Sequence, residues 1–341
     1  MTTNSQPLVS VVTPVYNEAT YLAQCIESVL AQTYQNWDYT IVDNQSTDGT
    51  GEVAERYARK DPRIRVVRTD CLLPALANHN HALRQMSPDS KYCKIVFGDD
   101  WLFPECLDRM VGLAEEHPSV GIVSAYTLET DHITLMGLPY ECTVMSGRET
   151  CRRHLLEQLY LFGSANSLLY RSSLVRKHDP FFNESNVHSD TEACFIALKE
   201  SDFGFVHQIL TYTRMRPTSL SSDSSDYQTY LAGMLQILMA HGGHYLEPEE
   251  LKMCLDEHLA SYYRFLGKSV LLRRDRKFWE WHKKGMASTG VHFSKGRVIL
   301  GLFAEGCDAA LNPKQTIERL LNKKKPKSNT PKLTRKFLAS A

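Results

Sequence analysis

The chain has 341 residues, with 39 Lys plus Arg balanced by 39 Asp plus Glu, 43% apolar residues and 9 Cys. That length can bury a large core and exceeds one minimal domain. The neutral balance supplies no global field for nucleic acid, and no apolar run is long enough to cross a bilayer.

The cysteines show neither C-x-x-C nor secretory spacing, which fits reduced thiols better than a disulfide framework or a zinc site. Met1 to Pro7 is polar and carries no signal-peptide h-region. The expectation is a cytoplasmic protein.

Leu8 to Thr13 reads as a strand broken by Pro14, followed by Val15-Tyr16-Asn17-Glu18. Leu22, Cys25, Ile26, Val29 and Leu30 recur at helical spacing, with Asn17 as the expected N-cap. Tyr39 to Val42 is a second strand, Asp43 to Thr50 a polar loop, and Val53 to Ala58 a helix. Strand, helix, strand, helix implies a parallel sheet. Ile64 to Val67 continues it, then a helix from Pro74 to Met86, then an apolar strand that stops on Gly98-Asp99-Asp100.

Adjacent acids repel, and a strand delivering both to the carboxyl edge of a sheet suggests a divalent cation with oxygen ligands. The alternative is a solvated turn in which Asp99 or Asp100 caps the helix near Pro104. The first, second and fourth strands carry Tyr16, Asp43 and Asp99/Asp100 towards one crevice.

Thr13-Pro14-Val15-Tyr16-Asn17-Glu18, then Val42-Asp43-Asn44-Gln45-Ser46-Thr47-Asp48-Gly49-Thr50, then Phe97-Gly98-Asp99-Asp100 resembles the family 2 glycosyltransferases of the GT-A fold, over about Leu8 to Ser221. The resemblance implies an α/β, Rossmann-like, mostly parallel sheet flanked by helices. It implies a nucleotide-diphosphate sugar donor, UDP-linked by preference, a glycan or lipid-linked glycan acceptor, and Mn²⁺ or Mg²⁺.

In that reading Thr13 and Pro14 shape the nucleotide pocket, Tyr16 covers the uridine, and Glu18 and Asn80 belong to the nucleotide-binding set. Asp43 accepts from the base and Asp99 binds the ribose hydroxyls. Asp100 holds the metal, and Arg216 pairs with the pyrophosphate in the place of a usual His. For Asp43 an Asx-turn is the competing role, for Asp48 and Ser46 turn chemistry is favoured, and for Arg214 and Arg216 the alternative is a solvated strand end.

Asp190 takes the general-base position at the head of a helix over Glu192 to Lys199, with Ser189 replacing the usual Glu and with Glu192 or His188 as substitutes. Simple helix capping by Ser189 or Asp190 competes with it. Phe97 stands where a further acid is common. These two departures keep a non-catalytic nucleotide-sugar or glycan-binding domain as the alternative function. A nucleotidyltransferase is disfavoured by the lack of Gly between Pro14 and Ala19.

Residues 1–226 are expected to form the catalytic domain, with a donor half over 8–128 and an acceptor half over 129–221. Ala165 to Tyr170 reads as a strand of the acceptor half, and Phe203 to Leu210 as another. Ser219 to Asp226 looks like a mobile loop. Residues 227–321 read as a helical extension, interrupted at Gly242-Gly243. Residues 322–341 form a basic tail, read as a disordered end or as a tether to anionic lipid at the inner membrane face.

Overall fold

A computed structural model describes residues 6–216 and 227–311. The expected mobile loop and the basic tail lie outside the described residues. The chain divides into two compact units, the first running to His258 and including Lys284–Val291, the second made of Leu259–Lys283 and the residues from His292.

In the first unit, β1 (Val9–Val15), β2 (Trp37–Asp43), β3 (Ile64–Arg68) and β4 (Tyr92–Ile95) pair in parallel in the order β3-β2-β1-β4. The sheet continues through β9 (Leu169–Arg171), β6 (Val120–Glu129), β10 (Asp202–Thr213) and β5 (Trp101–Leu102). β6 and β10 are parallel, whereas β9 is inserted antiparallel to both β4 and β6. β7 (His132–Thr134) and β8 (Val144–Met145) are short antiparallel additions to β6 and β10.

The central strands are apolar on both faces because helices cover both. Val9, Val11 and Val15 point into one core with α1 (Leu22–Leu30) and α4 (Cys106–Glu116). Val12 points into the other, with residues of α3 (Ala75–Leu83), α5 (Gly147–Glu157) and α7 (Ser189–Ala197). This is the period-two alternation of a strand. α2 (Thr50–Ala58) follows β2, and the short α6 (Ser172–Arg176) follows β9.

Several expectations are corrected. Pro14 does not end β1, since it stays in register with Val42 of β2. Asn17 is not an N-cap: it has φ 55°, its side-chain oxygen accepts from Thr47 N at 2.9 Å, and α1 begins only after Tyr21. Ala165–Ser167 is a 3-10 turn, and the strand starts at Leu169. The fully buried Lys94 of β4 causes this, because its ammonium gathers the carbonyls of Asn166 at 2.5 Å and Leu168 at 3.2 Å.

The helix expected from Glu192 begins at Ser189. Gly242-Gly243 does not interrupt a helix either. α8 (Thr229–Tyr245) runs through both, and the break falls between Tyr245 and the start of α9 (Pro248–Leu271). α8 belongs to the first unit, so the expected extension is divided. α9 and α10 (Arg276–Ser288) both cross the unit boundary, and α11 (Lys295–Leu311) lies in the second unit.

The second unit has its own interior. Tyr262, Leu266 and Phe278 are buried there, Tyr262 Oη lies 2.7 Å from His282 Nδ1, and Tyr263 Oη donates to His292 O at 3.2 Å.

Candidate functional site

The loops after β1 and β2 are stitched together by the polar motif residues. Asn17 N donates to Ser46 Oγ at 3.0 Å, Glu18 N to Thr50 Oγ1 at 2.7 Å, and Ala19 N to Asp48 Oδ2 at 3.1 Å. Asp48 also makes a local turn, its Oδ1 accepting from Thr50 N at 3.1 Å, whereas the Ser46 hydroxyl bridges the two loops. Thr13 is buried, with its hydroxyl 2.8 Å from Tyr39 Oη, and Pro14 is buried beside it, so both can line a crevice only through the backbone. Tyr16 is exposed at the end of β1.

Asp43 ends β2 and is buried. Its Oδ1 accepts from Ser46 N at 2.9 Å, which is the Asx-turn, while Oδ2 lies 4.0 Å from Arg68 Nε. One oxygen serves the turn, and the other faces a cation.

Asp99 and Asp100 sit in a tight turn after β4, with Asp100 N bonded to Phe97 O at 3.0 Å. Gly98 is required there because a Cβ would stand 2.7 Å from Val15 Cγ1. Neither acid caps α4, whose cap position is Glu105. Asp100 is only 3% exposed. Desolvation, reinforced by the neighbouring Asp99 charge, pushes its carboxyl well above the usual carboxylate range, although Arg214 N donates to Oδ1 at 2.9 Å.

Arg216 is no solvated strand end. It is 22% exposed in its side chain, bonds both Glu18 oxygens at 2.6 and 3.0 Å, and places Nε 2.7 Å from Asp99 Oδ2. Arg214 Nε reaches Asp99 O at 3.2 Å, and its guanidinium lies over Tyr21 at 4.4 Å. Burial raises the Glu18 carboxyl despite the bond from Arg216. Glu18, Asp99, Asp100, Arg214 and Arg216 therefore form one cluster, with Tyr212 stacked on Trp101 at 3.4 Å beside it. The sequence offered no signal for the Glu18–Arg216–Asp99 bridge or for the Trp101–Tyr212 stack.

Asp190 lies in a second group of side chains. It occupies the first turn of α7, where its Oδ1 accepts from Thr191 N at 2.7 Å, and the cap position belongs to His188. Its residue keeps some exposed area, yet the carboxyl is surrounded by protein, and desolvation pushes it up to about 6. The Asp190 charge is felt by the phenols of Tyr160 and Tyr170.

Glu192 and His188 each have side-chain partners of their own. Glu192 is buried and accepts from Asn183 Nδ2 at 3.0 Å, Asn186 Nδ2 at 2.9 Å and His241 Nε2 at 3.4 Å. The His188 ring faces Thr229 Oγ1 at 3.1 Å and Tyr230. Glu192→Ala should destabilise the fold by about 2–3 kcal/mol, because one buried and two part-buried donors lose their acceptor. Chemical denaturation compared with Glu192→Gln checks this, since Gln keeps an acceptor oxygen.

Asn80 is not brought to the cluster by any bond. Its amide donates to Phe182 O at 2.9 Å and Glu184 Oε1 at 3.1 Å and accepts from Phe182 N at 2.8 Å, tying α3 to the segment before α7. His79, near it, is pushed down to about 4 by burial and packs on Phe97, which suits a neutral core ring. An open cavity of about 380 Å³ lined by Asp38, Thr40, Arg63, Arg65 and Arg84 lies towards the amino ends of β2 and β3 and holds none of these site residues.

Residues 10–178 match the family model "Glycosyl transferase family 2". The chain is 36% identical over 135 residues to the putative glycosyltransferase EpsE of Bacillus subtilis, covering 39% of this chain and 48% of that protein. It is 33% identical over 126 residues to TuaG of the same organism, a putative teichuronic acid biosynthesis glycosyltransferase, covering 37% and 49%. The chain thus spans about half the length of the curated relatives it matches.

Among solved structures it resembles S. aureus TarS in complex with UDP-GlcNAc, with a TM-score of 0.61 at 18% identity over 82% of this chain and 80% of that one. It also resembles the mannosyltransferase PcManGT of Pyrobaculum calidifontis in complex with GDP-Man and Mn²⁺, at 0.52 and 16% over 92% and 83%. Both likenesses concern the fold, which is the GT-A arrangement. The matched segment carries the strands and loops that present Asp43, Asp99 and Asp100, and these residues belong to glycosyl transferase family 2.

Proposed function

We propose that the chain is an inverting glycosyltransferase that takes a sugar from a nucleotide-diphosphate donor, UDP-linked by preference, to a glycan or lipid-linked glycan hydroxyl. The observation that carries this is the Asp99-Asp100 turn at the carboxyl edge of the sheet, with Asp100 buried and kept hard to ionise by its neighbour. A buried acid of that kind beside a second acid fits a site completed by a cation and ligand hydroxyls.

Among the described residues no group of three or more His, Cys, Asp or Glu could hold a metal by itself. Asp100 together with donor phosphate oxygens is the set that fits Mn²⁺ or Mg²⁺, which when bound supplies Lewis-acid neutralisation of the diphosphate. Asp99 would hold the ribose hydroxyls, Asp43 and Tyr16 the base, and Thr13, Pro14 and Glu18 the walls. Arg216 would exchange its carboxylate partners for the pyrophosphate.

Asp190 removes the acceptor proton as the acceptor oxygen bonds to the anomeric carbon. The bond from that carbon to the leaving phosphate oxygen breaks at the same time, and the nucleoside diphosphate departs. One placed base and a single displacement invert the anomeric centre.

Calorimetric titration of UDP tests the reading. Binding should be strong with Mn²⁺ and much weaker in EDTA, and equal affinity in both would remove the metal assignment. Arg216→Ala should weaken UDP binding roughly tenfold to hundredfold in Mn²⁺, the usual cost of a lost charge-assisted pair.

A further inference from the structure

α11 is apolar on two opposite faces. Val298 and Gly301 face inwards, and the inner contact is tight: a Cβ on Gly301 would stand 2.3 Å from Tyr263 O, and one on Gly267 2.3 Å from Leu302 N. On the outer face Ile299 is 53%, Leu300 69% and Phe303 66% exposed. A helical stretch such as 298–303 that is apolar on both faces belongs in a core or against a hydrocarbon phase, not half in water. The same unit exposes Val270, Leu271 and Leu272 at the end of α9, directly before Arg273, Arg274, Arg276 and Lys277.

Charge chooses the occupant. The whole chain is neutral, but residues 259–283 and 292–311 carry nine Lys and Arg against four Asp and Glu. Lys295 and Arg297 stand exposed at the amino end of the apolar stripe. Within α11 Lys295 and Arg297 are matched in number by Glu305 and Asp308, but the unit as a whole is net positive, so a second copy would set that charge against itself, whereas an anionic lipid surface meets basic groups with phosphates and the apolar stripe with acyl chains. No helix among the described residues is long and apolar enough to cross a membrane, so the contact lies in the plane of the interface.

We propose that the outer face of α11 is a membrane-docking surface for anionic phospholipid, with Ile299, Leu300 and Phe303 entering the headgroup boundary and Lys295 and Arg297 pairing with lipid phosphates. This stands apart from the glycosyltransferase reading, because the surface uses no residue of the candidate site.

Co-sedimentation of the full chain with phosphatidylglycerol/phosphatidylcholine vesicles tests it. Wild type should bind, lose affinity with added salt and fail to bind pure phosphatidylcholine. Leu300→Asp with Phe303→Asp should lower binding about tenfold or more, since each side chain contributes apolar burial. Both residues are exposed, so the variant should keep the wild-type circular dichroism and UDP affinity.

Three results would overturn the proposal. One is absence of binding to the anionic vesicles. Another is unchanged binding in the double variant together with loss on deleting 322–341, which would give the membrane contact to the tail alone. The third is a dimer, seen by light scattering, that the double variant dissociates.

Discussion

Asp190→Asn should lower sugar transfer by roughly a hundredfold or more while leaving UDP affinity almost unchanged. The amide keeps the shape of the carboxyl and can still accept from Thr191 N, but it cannot take the acceptor proton. The same residue fixes a pH dependence. Its carboxyl is held up to about 6 by desolvation, so the base is ionised above that value and protonated below it. Transfer at saturating substrate should rise with pH through about 6 and then level off, and the rise should vanish in Asp190→Asn.

The stability sign runs the opposite way. The folded carboxyl titrates above its ordinary range, so the native state binds the proton more tightly than the unfolded state. The stability this contributes at acid pH is lost as pH rises from about 4 to about 6. Asp190→Asn should therefore melt higher than wild type at neutral pH. If it melted lower, the structural capping role would be the dominant one.

Asp100→Ala should abolish transfer and metal-dependent UDP binding together, because it removes the phosphate anchor before chemistry begins. Asp100→Asn separates that role from packing. Asn keeps an oxygen for Arg214 N, carries no charge beside Asp99, and needs no ionisation in a buried position. In the absence of metal it should be more stable than wild type at neutral pH, by the same linkage sign, and equally inactive. A stable, inactive Asp100→Asn marks a site that trades stability for function.

Much of the donor half was legible in the sequence because its signals are local. An apolar strand ending in Gly98-Asp99-Asp100, and a polar loop from Asp43 to Thr50, each announce their place at the carboxyl edge of a parallel sheet. Where the reading failed, a distant group had overridden a local rule. Gly242 stays inside a helix because Leu251 packs against it, with Cδ1 only 2.6 Å from where a Cβ would stand. Ala165–Ser167 coils where Lys94, more than seventy residues earlier, bonds the carbonyls of Asn166 and of Leu168 just after it. The Glu18–Arg216 pair joins residues 198 positions apart, and no periodicity or motif spacing encodes such a contact.

At Asp190 the sequence supplied the acid, but only the structure distinguishes it from its neighbour. Glu192 is engaged by Asn183, Asn186 and His241, whereas Asp190 is desolvated and accepts from the backbone N–H of Thr191.

The most direct test of the central claim is a hydrolysis screen that measures nucleoside diphosphate release from UDP-, GDP- and dTDP-sugars in Mn²⁺, since it needs no knowledge of the acceptor. Release is expected from at least one donor, preferentially a UDP-sugar, and is lost on adding EDTA and in Asp100→Ala. No release from any donor by the wild-type protein, with UDP binding intact, would contradict catalysis and leave a nucleotide-sugar-binding domain in its place.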